Sequence, residues 1–143
     1  MQSNEALADL AHTIQLAVAP VFLLTALGTI LSVLSARLGR IVDRVRVLTA
    51  LKSVDASEER ERVAELASLA ARRNLINLAI TSATIAALLV CVLIALAFLG
   101  FLLNARFSLV IAGLFIAAMT AFIGALLFFL REVLVAVSST RIL

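Results

Sequence analysis

Apolar positions recur along this chain at a helical period, in two regimes. From Thr13 to Ala36 there are 24 residues without a charge, and from Arg37 to Leu51 the apolar rhythm continues among arginines. There Leu34, Leu38, Ile41, Val45 and Leu48 are spaced 4, 3, 4 and 3, a coiled-coil seam, with Arg37, Arg40, Asp43, Arg44 and Arg46 on the other faces. The pattern predicts one long helix that crosses a membrane and continues beyond it. Residues 4–12 read as a short helix ahead of it. Lys52–Ser57 reads as a turn, Asp55-Ala56-Ser57-Glu58 fits a capping box, and a second helix returns through Val63, Leu66 and Leu69. That helix enters a charge-free run of 32 residues, Asn74 to Ala105. A short turn at Asn104–Ser108 precedes a third apolar run, Ser108–Leu130, closed by Arg131 and Glu132. The tail reads as a short interfacial helix carrying Arg141.

These elements predict an all-α membrane protein: three transmembrane helices, the first two extended into a cytoplasmic antiparallel helical hairpin. The chain is a single integral-membrane domain over 1–143, with spans about 13–36, 77–103 and 108–130 and the hairpin about 37–73. Each hairpin arm is about 15 residues, roughly 22 Å. A fold at residues 54–55 pairs positions whose numbers sum to about 109. Arg44 then meets Glu65, a candidate ion pair, and Leu48 lies by Glu61 or Arg62.

Polar residues within the spans form stripes. Thr25, Gly28, Ser32, Ser35 and Gly39 share one face of the first helix, widened by Thr29 and Ala36. Asn74, Asn77, Thr81 and Thr84 share a face of the second at the same depth, so the two stripes are expected to face each other instead of lipid. Two readings stay open for Thr25, Gly28, Thr29, Ser32, Ser35, Asn77 and Thr81. One is a helix-packing face, where small residues allow close approach. The other is the lining of a polar path in an oligomer, with Arg37, Arg40 and Arg44 as inner-mouth charges. Pro20 removes a backbone donor and predicts a mild kink. On the third helix, Gly113, Ala117, Thr120 and Gly124 make a second small-residue seam, while Phe115, Phe122 and Phe129 point elsewhere, to lipid or a neighbour. Glu5, Asp9 and His12 share a face outside the bilayer, a candidate pH or cation site or a solvated face.

Composition sharpens the class. The chain is 64% hydrophobic and 15% charged, too apolar for a soluble domain of 143 residues. Nine of the 12 lysines and arginines lie between Arg37 and Arg73, and only Arg106 lies in the outer segments. This bias predicts an N-terminus outside and a C-terminus inside. The first span is too long for a signal-peptide core and its basic residues follow it, so it is expected to stay uncleaved. Cys91 reads as an apolar filler. No phosphate loop, Cys/His cluster or Ser-His-Asp set is present, and the spans hold no acid, so neither enzymatic activity nor a cofactor is expected. The hairpin carries no aromatic residue for stacking on bases, and nucleic acid is not an expected partner.

Three segments carry a resemblance: LAVAPVFLLTALGTILSVLSARLGRIVDRVRVL (Leu16 to Leu48), RRNLINLAI (Arg72 to Ile80) and FLREV (Phe129 to Val133). They resemble a family of small bacterial integral-membrane proteins known as a domain of unknown function. The resemblance implies a bacterial inner membrane and transfers no catalytic or binding residue. Two functions follow as expectations. The first is a homo-oligomeric ion channel or pore lined by the first helix. The second is a membrane-anchored adaptor whose hairpin presents an interaction surface to a protein partner. Membrane lipids are partners in both.

Overall fold

The computed structural model describes residues 2–52, 55–104 and 106–140. They form three helices: α1 (Gln2–Ala50), α2 (Ala56–Leu103) and α3 (Ser108–Thr140). All three are long and apolar enough to cross a membrane. Large apolar side chains such as Phe22, Leu88 and Ile116 are 71%, 61% and 66% exposed, which suits lipid and not water. The chain is a multi-pass membrane protein.

Several boundaries differ from the sequence reading. Residues 4–12 are not a separate helix; they are the first turns of α1, because nothing interrupts the backbone ladder before Thr13. α1 also runs through Pro20, which is buried seven residues ahead of Leu27. Its missing N–H leaves one carbonyl without its helical donor and does not break the helix. The tail is not an independent helix either, since α3 continues past Glu132 to Thr140. Arg141 lies outside the described residues, as do Ser53 and Val54 of the hairpin turn and Ala105 of the other turn.

The ends of α2 explain both turns. Asp55 adopts an extended backbone and its carboxylate accepts from the Ala56 N–H at 2.7 Å and the Ser57 hydroxyl at 3.2 Å, so it caps the helix start. At the far end Asn104 sits in the left-handed region, φ 51°, and its N–H returns to the carbonyls of Gly100 and Phe101. Asparagine tolerates that conformation better than most residues with a side chain.

α2 is the central helix: it packs along both neighbours, while α1 and α3 barely touch. On α1 the buried positions Leu27, Leu34, Ile41 and Leu48 recur every seven residues and face α2. Leu38 and Val45 flank them, so the predicted apolar seam is buried. On α2, Ile76, Ala79, Ala83, Ala86 and Val90 are wholly buried, and on α3 so are Ala118 and Ala125. The alanines let α2 and α3 approach closely. There the Ser82 hydroxyl donates to the Ala121 carbonyl at 2.6 Å, and a Cβ on Gly124 would lie 3.2 Å from the same oxygen. Gly124 thus belongs to the α2–α3 contact, whereas Gly113, Ala117 and Thr120 of the expected seam are exposed. Phe122 and Phe129 pack against the cores, and only Phe115 of the three phenylalanines is turned outward.

Candidate functional site

Where the charge-free runs end, the three helices meet in an ionic clamp. Glu132 of α3 is wholly buried. One of its carboxylate oxygens accepts from Arg37 Nη1 of α1 at 2.7 Å. The other accepts from Arg72 Nε at 3.1 Å and Nη2 at 2.9 Å. The Arg37 guanidinium also lies 5.2 Å from the centre of the Phe129 ring, a cation–π distance. A bare carboxylate at this depth would carry a desolvation penalty of several kcal/mol; two cations and hydrogen bonds to both oxygens offset it. The clamp joins α1 to α3, which otherwise scarcely meet.

In the sequence Arg131 and Glu132 together mark the end of the third apolar run. The true partners of Glu132 are 95 and 60 residues away in sequence. A signal was nevertheless present: Ala118, Ala125 and Glu132 are spaced by seven, so the acid continues the buried register of α3.

Beyond the clamp the hairpin has its own locks. Arg44 and Glu65 form a bidentate pair at 2.7 and 3.2 Å, the register expected from the fold-back arithmetic. The Glu65 hydrogen bond, and then its charge, raise the pKa of Arg44 above its already high ordinary value. Arg62 holds Glu59 at 2.6 and 3.0 Å and donates to the carbonyls of Leu48 and Leu51, both at 3.2 Å, so it caps the end of α1 from the opposite helix. Its pKa is likewise raised, by the hydrogen bond to Glu59, against partial desolvation.

The polar stripes do not face each other. Thr25, Gly28, Thr29, Ser32 and Ser35 are exposed on α1, and Asn74, Asn77, Thr81 and Thr84 are exposed on α2. Leucine, isoleucine and alanine occupy the α1–α2 contact instead, because a seven-residue series of apolar side chains fills it. The hydroxyls of Thr25, Thr29, Thr81 and Thr84 donate to the carbonyl four residues back on their own helix. Val45 of α1 shares one groove with Asn74 and Asn77 of α2. At about 100° per residue, Gly28, Ser32 and Ser35 project roughly 110–170° around α1 from the seam that faces α2, so they point outward.

The three arginines expected at an inner mouth gather against α2. Arg37, Arg40 and Arg44 line a cavity of about 310 Å3 between α1 and α2, together with Ile41, Glu65, Leu69 and Arg72. Arg37 and Arg44 project roughly 120–140° around α1 from the centre of the hydroxyl stripe, and Arg40 lies about 20° from Thr29 at its edge. The clamp draws Arg37 toward α3, and its two helical neighbours follow.

At the opposite end of the molecule, Asp9 and His12 border a wide opening of about 740 Å3 with Asn104, Arg106 and Ser108. Glu5, Asp9 and His12 are exposed. Among the described residues no three His, Cys, Asp or Glu side chains group closely enough to hold a metal ion, so the cation reading of this face lacks a ligand set. Cys91 is exposed on the outer surface of α2.

No curated protein and no solved structure matches the chain. A family described as a protein of unknown function, DUF2721, matches residues 17–142, which include all of the clamp and hairpin and leave Glu5, Asp9 and His12 outside. The chain belongs to this family.

Proposed function

We propose that the protein acts as a homo-oligomer of a bacterial inner membrane, in which the outward polar flank of α1 and α2 meets neighbouring copies and encloses a narrow ion path. One observation carries this reading: Thr25, Gly28, Thr29, Ser32 and Ser35 of α1 and Asn74, Asn77, Thr81 and Thr84 of α2 are all exposed, and the monomer's core uses none of them. Amides such as Asn77 lose free energy when they face lipid without partners, and a second copy supplies them. The threonine hydroxyls are already donating to the helix, so they present acceptor lone pairs outward, suited to water or a cation. Anion selectivity by an arginine ring is no part of the proposal, because Arg37 and Arg44 are engaged by Glu132 and Glu65. The arginine and lysine bias supports an N-terminus outside and a C-terminus inside.

Mass measurement in nanodiscs and ion flux in liposomes test it together. A ring of four or more copies, with flux that falls on Ser32→Leu, supports the path. A monomer, or protein that never raises flux above empty vesicles over varied ions, pH and voltage, removes it.

An adaptor reading has its own support. The hairpin is locked by Arg44, Glu65 and Arg62, yet Val47 and Val63 stand 51% and 54% exposed beyond the clamp. Apolar side chains on a rigid stalk suit a protein partner. In that case Ser32→Leu disturbs assembly and flux is absent throughout.

A further inference from the structure

We infer that the cavity lined by Arg37, Arg40, Arg44 and Arg72 binds the phosphate of an anionic phospholipid at the membrane surface. Charge is the first reason. Four guanidinium groups surround this cavity, and among the described residues the acids that meet them are Glu65 and Glu132. Two positive charges are left over. Arg40 makes no ion pair with any described residue, and its whole donor fork is available to an oxyanion.

Depth is the second reason. Arg37 is the first charge after the 24-residue charge-free run of α1, Arg72 and Arg73 precede that of α2, and Arg131 and Glu132 end that of α3. The clamp therefore marks the edge of the hydrocarbon on all three helices. The headgroup layer extends roughly 5–8 Å beyond that edge. Arg40 lies three residues past Arg37, about 4.5 Å along the helix axis, and Arg44 about 10 Å. Arg40 thus sits at the depth of lipid phosphates, whichever side of the membrane the hairpin occupies.

Shape and preorganisation complete the case. A cavity of about 310 Å3 reaches the lower end of the range of ligand pockets, roughly 300–1,000 Å3. Glu132 holds Arg37 and Arg72 in place, and Glu65 holds Arg44, so the cations need little ordering to receive a phosphate. Ile41 and Leu69 form the cavity's apolar floor. The site is complete in one copy of the chain and does not depend on oligomerisation.

The test is native mass spectrometry of the purified full-length protein in detergent, titrated with phosphatidylglycerol or with zwitterionic phosphatidylcholine. Retained phosphatidylglycerol adducts, few phosphatidylcholine adducts, and about fivefold weaker phosphatidylglycerol binding by Arg40→Gln support the site, since one cation beside a membrane phosphate accounts for about that factor. Arg46→Gln, on the exposed face of the same helix, is the control and is expected to leave binding unchanged. Equal retention of both lipids overturns the inference, as does an equal loss from Arg46→Gln or no loss from Arg40→Gln. Inorganic phosphate is the remaining arm: if it stabilises the lipid-free protein and Arg40→Gln abolishes that effect, the site belongs to a soluble phosphate, and the lipid assignment falls.

Discussion

The two sides of the α1–α2 pair solve opposite problems. On the side toward α3, every acid is matched: Glu132 takes Arg37 and Arg72, and Glu65 takes Arg44. On the outward faces lie hydroxyls and amides, unmatched by another helix of the same copy. A buried carboxylate is costly enough that one chain must satisfy it before anything else binds. A threonine that donates to its own helix costs little, so it can remain outside as a contact for another copy or for water. The strong polar groups hold the monomer together, and the weak ones are left for association.

The largest effect should come from breaking the matched side. Glu132→Gln leaves two arginines without their shared counter-ion and is expected to cost about 3–5 kcal/mol, read as a lowered unfolding midpoint in detergent. A midpoint equal to wild type would mean the clamp does not hold α1 to α3. Next, Gly124→Leu forces a large side chain against Ser82 and should destabilise by about 1–3 kcal/mol through the α2–α3 contact. The neighbouring exposed Gly113→Leu is the control, since a Cβ there meets nothing within 4 Å.

Asn77→Leu probes the other side. Monomer stability should change by less than about 0.5 kcal/mol, as for most surface substitutions, while the mass in nanodiscs shifts to fewer copies. Unfolding of the monomer by this change would erase the contrast between the two sides. The smallest effect is expected from Arg44→Gln, an exposed pair whose contribution is register more than stability. Cross-linking yield between cysteines placed at positions 51 and 61, which line one cavity between the hairpin arms, reads that register, and the charge swap Arg44→Glu with Glu65→Arg should restore it.

Much of this was legible in the residues. The apolar run from Thr13 and the arginines from Arg37 announce a helix that leaves the membrane, and Asp55 with Ser57 announces where the next begins. The Arg44–Glu65 pair follows from counting back across a short turn, because two antiparallel helices with a known turn have almost no freedom in register. Glu132 was harder. Its neighbour Arg131 suggests a local boundary, and the partners that matter come from two other helices. The polar stripes were misdirected for a related reason. Equal depth shows that two faces are level and says nothing about their azimuth.

What the sequence by itself determined was length, periodicity and depth: three helices, where each enters and leaves the apolar layer, and the register of the hairpin. These are properties of one helix at a time, or of two joined by a short turn. Only the tertiary structure decided azimuth, the rotation of each helix about its own axis. Azimuth depends on which side chains fill the contact, and here leucine and alanine won it over serine and threonine. That choice turned Arg37 toward α3 and left the hydroxyl stripe facing out, since apolar packing and a buried carboxylate outweigh what a few self-bonded hydroxyls can offer.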